Sequence, residues 1–138
     1  MSLATQNVSA SIASAGSLIS GSFSKECSDC RQLEIPFAAS VTNDETDVTI
    51  PYASIEAITL QAFFSSDVSG SATSNVTVKT NSSSVPDQTF TCKPNKYGQW
   101  NSDSPFANPI SANITKLFVT NPNAVAGTLK ITLGANPV

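Results

Sequence analysis

Cysteine is the residue type in this chain with the clearest capacity for chemistry. The 138 residues include three cysteines, of which Cys27 and Cys30 have the C-x-x-C spacing of thiol–disulfide exchange or of half a zinc site. A closed zinc site needs four ligands, drawn mainly from cysteine and histidine, and the chain has no histidine. Three interpretations therefore remain open for the cysteines: reduced structural thiols, one disulfide, or a metal site completed by an acidic side chain or by a second chain. Cys92 falls on the predicted inward face of a strand, where a thiol packs as a small apolar group.

Carboxylates cluster at one place only, at Asp44, Glu45 and Asp47. Such oxygen ligands can hold calcium, but nothing else nearby is typical of a calcium loop, so a solvated turn is the favoured interpretation. Without histidine a Ser-His-Asp triad cannot form within the chain, and no glycine-rich phosphate motif is present. We expect no catalytic residue, no metal and no cofactor, and hence a protein that is not an enzyme.

Charge and hydropathy exclude several partners. The net charge is −3, only 12% of residues are charged, and the seven basic residues are scattered along the chain. A nucleic-acid partner would call for a basic patch, and a membrane span for about 18 consecutive apolar residues. Residues 1–23 contain no Lys or Arg, unlike the basic opening of a secretory signal peptide. We therefore expect no nucleic acid, no membrane and no export by a signal peptide.

The first 24 residues form a Ser/Ala/Gly-rich N-terminal arm, and residues 25–138 a single domain. In the arm, Val8, Ala10 and Ile12 alternate with polar residues, which predicts an extended strand. An arm of this kind can add a strand to the sheet of a neighbour, so Val8 and Ile12 are candidate contact residues. The alternative is a frayed tail.

Short apolar alternations between turn signals fill the rest of the chain and predict an all-β fold with little helix. We expect an antiparallel β-sandwich, jelly-roll-like, of about seven or eight strands. Breaks are predicted at residues 42–45 and 65–74, and a hairpin turn at 121–127. The inward side chains of the third strand are predicted to be Ile58, Leu60, Ala62 and Phe64. The predicted strands are 33–41, 47–52, 55–64, 75–80, 88–93, 114–120 and 128–133.

Residues 93–113 make a long predicted loop with three prolines and three aromatic residues. Loops beyond about 12–15 residues usually bind something or pack as a lid. In one interpretation Tyr97 and Trp100 contact a partner protein or a sugar ring. In the other, Trp100 and Phe106 close the open end of the sandwich, as buried aromatic residues often do.

Three segments in the last third of the chain carry a family resemblance: 108–110, 113–121 with its Val-Thr-Asn ending, and 126–133 with alternating Thr and aliphatic residues. Together they resemble the carboxyl half of small β-sandwich virion proteins of tailed bacteriophages, such as capsid decoration, cement and head-fibre proteins. The resemblance covers about a quarter of the chain.

That resemblance implies a non-enzymatic virion protein assembled in the host cytoplasm. Its expected partners are copies of itself, as a homo-oligomer and most often a trimer, and the major capsid or other virion proteins. Two alternatives stay open: a carbohydrate- or receptor-binding module that uses residues 93–113, and an extracellular adhesin.

Overall fold

The computed structural model describes residues 4–14, 17–27 and 29–135, and for residues 4–14, 17–27, 29 and 52 it describes the backbone alone. These residues contain strands and two single 3₁₀ turns but no α-helix, which confirms the all-β prediction. The strands are β1 Ala4–Ser14, β2 Ser17–Cys27, β3 Asp29–Phe37, β4 Val41–Ile50, β5 Ile55–Phe63, β6 Val76–Thr80, β7 Thr89–Cys92, β8 Tyr97–Asn101, β9 Ile114–Asn121 and β10 Gly127–Ala135.

Eight of these strands form two antiparallel sheets of four. One sheet has the order β3-β10-β5-β8 and the other β4-β9-β6-β7. Every connection between these strands crosses from one sheet to the other, except the β6–β7 hairpin. This arrangement is the jelly roll, in which two sheets share one core. The predicted β-sandwich is therefore confirmed, including its jelly-roll character.

The core lies between the sheets and follows the apolar alternation of the strands. On β5, Ile58, Leu60 and Ala62 pair in register with Leu133, Ile131 and Leu129 of β10. Opposite residues of an antiparallel pair lie on the same face, and the three β10 side chains are almost fully buried. Phe64 is buried too, and its ring meets Phe37 edge to face at 5.6 Å. The predicted inward set on this strand is confirmed.

The predicted break at residues 42–45 is wrong, because these residues lie inside β4. The turn comes earlier, at residues 38–40, where Ser40 has a φ of 53°. Asn43 has a φ of 49°, and the register of β4 against β9 shifts between Val41 and Asp44. Asparagine tolerates the left-handed conformation in bulges as well as in turns. The residue types that indicated a turn therefore mark a β-bulge.

The predicted hairpin at residues 121–127 is also wrong, since β9 and β10 belong to different sheets. The connection is held by two buried amides. Asn121 Nδ2 donates to the carbonyls of Ala38 and Val125, both at 2.9 Å. Asn123 Nδ2 donates to Ser74 O at 2.9 Å, and its Oδ1 accepts from Ser74 N at 2.8 Å. The two asparagines thereby join three connections at one end of the sandwich.

The predicted 93–113 loop contains a strand. Residues Tyr97–Asn101 form β8, which pairs with β5 at the edge of its sheet. The apolar alternation of this strand is hidden in the sequence, because its inward positions are Gly98 and Trp100 and only the second is apolar. The remaining loop is residues 102–113.

The N-terminal segment is extended, as expected for residues 8–12, but it folds back on itself. Strands β1 and β2 form an antiparallel hairpin whose register runs from Ala4–Cys27 to Ser14–Ser17. At about 3.3 Å per residue, eleven residues span roughly 36 Å, about half the reach of the same segment as one strand. The hairpin contacts β3, β5 and β10.

Candidate functional site

An apolar cleft of about 480 Å³ lies between the edge strands β7 and β8, where the two sheets diverge. Its volume falls within the range of about 300–1,000 Å³ that ligand sites usually have. The turn joining β7 to β8 bounds one end, and the 102–113 loop bounds the other. Its main apolar walls are Ile58, Leu60, Phe90, Trp100, Pro109 and Ile110.

Gly98 leaves space for this cleft. It pairs with Leu60 in register, so its position faces the interior of the sandwich. A Cβ atom placed on Gly98 would meet no atom within 4 Å. Because Gly98 faces inward on an edge strand and has no side chain, it leaves a space in the cleft that a larger residue would fill.

Trp100 forms a fixed wall of the cleft. Its side chain is partly buried and packs against the core. The indole Nε1 donates a hydrogen bond to Phe106 O at 2.9 Å. Because that bond uses the single donor of the ring, the indole offers an apolar surface to the cleft.

Two lysines stand at the end of the cleft formed by the β7–β8 turn. Lys93 and Lys96 both line it and both are exposed. Neither ammonium group has a hydrogen bond, an ion pair or an aromatic contact among the residues that the structure describes. Their positive charge is therefore available to a bound group.

The other lysines whose side chains the structure describes are engaged within the chain. Lys79 Nζ donates to Ser83 O at 2.9 Å, Lys116 pairs with Glu45 at 3.1 Å, and Lys130 lies 3.8 Å from the centre of the Phe63 ring. Lys93 and Lys96 differ from them, and both stand at the same end of the cleft.

Cys92 closes the cleft from the β7 side as a free, buried thiol, on the inward face as predicted. Cys30 is disulfide-bonded, so the interpretation as reduced thiols is wrong for that residue. Among the described residues, no three His, Cys, Asp or Glu side chains are grouped to hold a metal ion.

Burial raises the pKa of the Cys92 thiol. We therefore expect iodoacetamide to alkylate Cys92 in the folded protein at pH 8 at least tenfold more slowly than in the urea-unfolded chain, because the thiolate is the nucleophile. The rate should climb as pH rises further. The free energy of unfolding should fall above the ordinary thiol pKa of about 8.5, because the unfolded chain loses this proton first.

Mass spectrometry of the alkylated protein measures these rates, and Cys92→Ser is the control that should gain no label. Equal rates for folded and unfolded protein would contradict the burial of this thiol.

The predicted contact residues do not form one surface. Tyr97, with 60% of its surface exposed, and Trp100 both line the cleft, but they sit on opposite faces of β8. Phe106 is 78% exposed, so the interpretation of this residue as a plug is wrong. Val8 and Ile12 belong to β1, and their side chains lie outside what the structure describes.

The acidic cluster lies on a strand rather than in a solvated turn. Along β4, Asp44 alternates with Glu45 and Asp47 and so faces the other side of the sheet. Lys116 Nζ lies 3.1 Å from Glu45 Oε1 and 4.0 Å from Asp47 Oδ1. The hydrogen bond to Glu45, together with the negative charges of Glu45 and Asp47, raises the pKa of Lys116. An ammonium group thus occupies the position between the two carboxylates.

Comparison with protein-family models, with curated proteins and with solved structures finds no match to this chain. The likeness to phage virion proteins thus stays an expectation. No helix in the described residues is long and apolar enough to cross a membrane.

Sequence reasoning singled out Tyr97 and Trp100 but missed the cleft they line. Lys93 and Lys96 were overlooked because nothing in the sequence distinguishes an unpaired lysine from a paired one. One signal was present: Gly98 lies between two aromatic residues, and a glycine inside a strand often marks a close approach or an open space.

Proposed function

We propose that this protein is a non-catalytic structural subunit that joins a larger protein assembly through its N-terminal hairpin. The supporting observation is that β1 and β2 pair only with each other and, in the described part of the chain, with neither sheet of the jelly roll. A two-stranded hairpin is at best marginally stable in water. A neighbouring subunit that covers the hairpin would add to the contacts that it makes with β3, β5 and β10.

The register of the hairpin supports this role. It places Val8 opposite Phe23 and Ile12 opposite Ile19, and opposite residues share one face of an antiparallel pair. The alternate positions hold mainly serine, including Ser11 opposite Ser20. Between the Asn7–Ser24 pair and the Ile12–Ile19 pair, the apolar positions thus fall on one face and the polar positions on the other, a pattern suited to docking on another protein.

The assembly that we propose is a virion. The jelly roll recurs in viral capsid domains and in lectins, although a shared fold is only an analogy for function. Together with the resemblance of the last third of the chain, it favours a capsid decoration or cement subunit of a tailed phage. Its partners would be further copies, forming a homo-oligomer such as a trimer, and the major capsid protein.

Carbohydrate or receptor recognition through residues 93–113 is the second candidate. The exposed ring of Tyr97 beside the cleft favours it. Because Tyr97 and Trp100 sit on opposite faces of β8, one sugar ring cannot stack on both. We therefore rank this function below assembly.

Deletion of residues 1–24 is expected to leave a folded jelly roll that no longer joins its assembly. Within the full chain, Ile12→Asp should reduce incorporation at least tenfold, because a charge would enter the apolar face. Circular dichroism checks the fold. Sedimentation of each variant alone, and mixed with phage shells that lack the protein, measures assembly.

Ser11→Asp is the matched control, since it adds the same charge one residue away on the polar face. Incorporation within twofold of the parent protein is expected for this control. Normal incorporation of the deletion variant would refute the role of the hairpin.

A further inference from the structure

The edge of β8 lacks the features that protect the edges of β3 and β4. Natural sheets protect their edges with prolines, bulges, charges or short strands. Here β3 carries Pro36 and β4 carries the bulge at Asn43. β8 has no proline, no charged residue and no shift in its register against β5. Its outer edge is therefore open to another strand.

The hydrogen bonding of β8 shows which main-chain groups face outward. Ser102 N donates to Glu56 O at 2.8 Å, just beyond the paired residues. Hydrogen-bonded pairs alternate along an antiparallel ladder, so Gly98 and Trp100 bond to β5. The N–H and C=O groups of Tyr97 and Gln99 then point away from the sheet, where an added strand would meet them.

A strand added to this edge would also reach the cleft. Alternate side chains of a strand point to opposite faces, so every second residue of the added strand would face the interior of the sandwich. At that place lies the space that Gly98 leaves open. Strand addition gains affinity from main-chain bonds and specificity from such side-chain pockets.

We propose that β8 and the cleft together accept an extended segment of a partner protein that has aliphatic residues at alternate positions and Asp or Glu residues at the end nearest the β7–β8 turn. The aliphatic side chains enter the cleft beside Gly98. The carboxylates pair with Lys93 and Lys96, the two described lysines that the chain leaves unpaired. The site uses no residue of the N-terminal hairpin and stands independently of the role proposed for it.

A displayed library of random decapeptides, selected on the full-length folded protein, tests this site. We expect enrichment of peptides that have aliphatic residues at alternate positions and acidic residues at one end. Fluorescence anisotropy of an enriched, fluorescein-labelled peptide should show affinity that falls as salt rises. Binding should slow amide hydrogen exchange at Tyr97 and Gln99.

Gly98→Val is the decisive variant, because valine suits a strand and its Cβ meets no atom within 4 Å. It should weaken peptide binding at least tenfold. The double variant Lys93→Glu/Lys96→Glu should weaken it by a similar factor. Gly70→Val is the matched control, since Gly70 also has open space around it but does not line the cleft, and its affinity should be unchanged.

Several results would overturn the proposal: no enrichment, enrichment of basic or proline-rich peptides, or equal binding by Gly98→Val. Enriched peptides that resemble residues 4–27 would assign the edge to a second copy of this chain instead. A change in Trp100 fluorescence when decanoate is added, without enrichment of any peptide, would instead identify the cleft as a lipid-binding site. Peptide binding that survives deletion of residues 1–24 would separate this site from the assembly role of the hairpin.

Discussion

Asn121→Ala is expected to lower the free energy of unfolding by about 3 kcal/mol. The side chain is fully buried, and its Nδ2 holds the carbonyls of Ala38 and Val125. Its Oδ1 accepts hydrogen bonds from N and Nδ2 of Asn123 at 3.1 and 2.9 Å. Truncation would leave several buried polar groups unpaired, and each such group costs about 1–3 kcal/mol.

Urea unfolding followed by circular dichroism measures this change as a lower midpoint with an unaltered slope. Asn75→Ala is the control, because Asn75 is exposed and makes no side-chain hydrogen bond among the described residues. It should change the free energy of unfolding by less than about 0.5 kcal/mol. Equal effects of the two substitutions would show that the Asn121 network does not stabilise this end of the sandwich.

Gly127→Ala is expected to be similarly destabilising, by about 3 kcal/mol. A Cβ atom at this position would lie 2.7 Å from Phe37 Cζ and 2.7 Å from Phe63 O. The first contact is with a buried ring and the second with the main chain of β5, so neither can move without disturbing the core. Gly127 begins β10, the strand between β3 and β5.

The same alanine substitution at Gly70 serves as the comparison, since a Cβ there meets no atom within 4 Å. Thermal unfolding of both variants gives the measurement, with a fall in Tm expected for Gly127→Ala alone. A Tm for Gly127→Ala within a degree of the parent protein would contradict the close packing of β10 against Phe37.

The strands of the sandwich were predictable where one face is buried and the other is exposed to solvent. Leu129, Ile131 and Leu133 alternate with Thr and Lys, and the structure buries them. Burial on one face imposes a period of two on the sequence. At β8 the alternation breaks down, because Gly98 fills an inward position without an apolar side chain.

The structural role of asparagine was the hardest to predict from the sequence. Its abundance resembles a bias of composition, yet Asn81 and Asn95 have φ values of 66° and 62°. The side chain of Asn81 bonds Asn113 O and Thr115 N, both at 2.8 Å, and Asn95 Oδ1 accepts from Phe64 N at 2.7 Å. These partners lie 31–34 positions away along the chain, so no local sequence pattern indicates these bonds.

The cleft could not be predicted because it belongs to the arrangement of two sheets rather than to one segment. Strands β7 and β8 are consecutive, yet they lie at the edges of different sheets. Only this topology brings Phe90 and Trp100 to facing walls. Tyr97 and Trp100 were identified because aromatic residues stand out in a sequence, whereas the main-chain groups of an open edge carry no sequence signal.

The pairing of β3 with β10 has a consequence for how the chain folds. Asp29 lies opposite Ala135, and Phe37 opposite Gly127, so partners in this ladder are 90 to 106 positions apart along the chain. Non-local pairing of this kind slows folding to milliseconds or seconds. During synthesis the β1–β2 hairpin can close early, whereas β3 and β5 cannot pair with the strand between them until β10, which follows the other nine strands in the sequence, has left the ribosome. Throughout that interval the nascent chain exposes apolar strands whose capture by chaperones or by neighbouring nascent chains competes with productive folding.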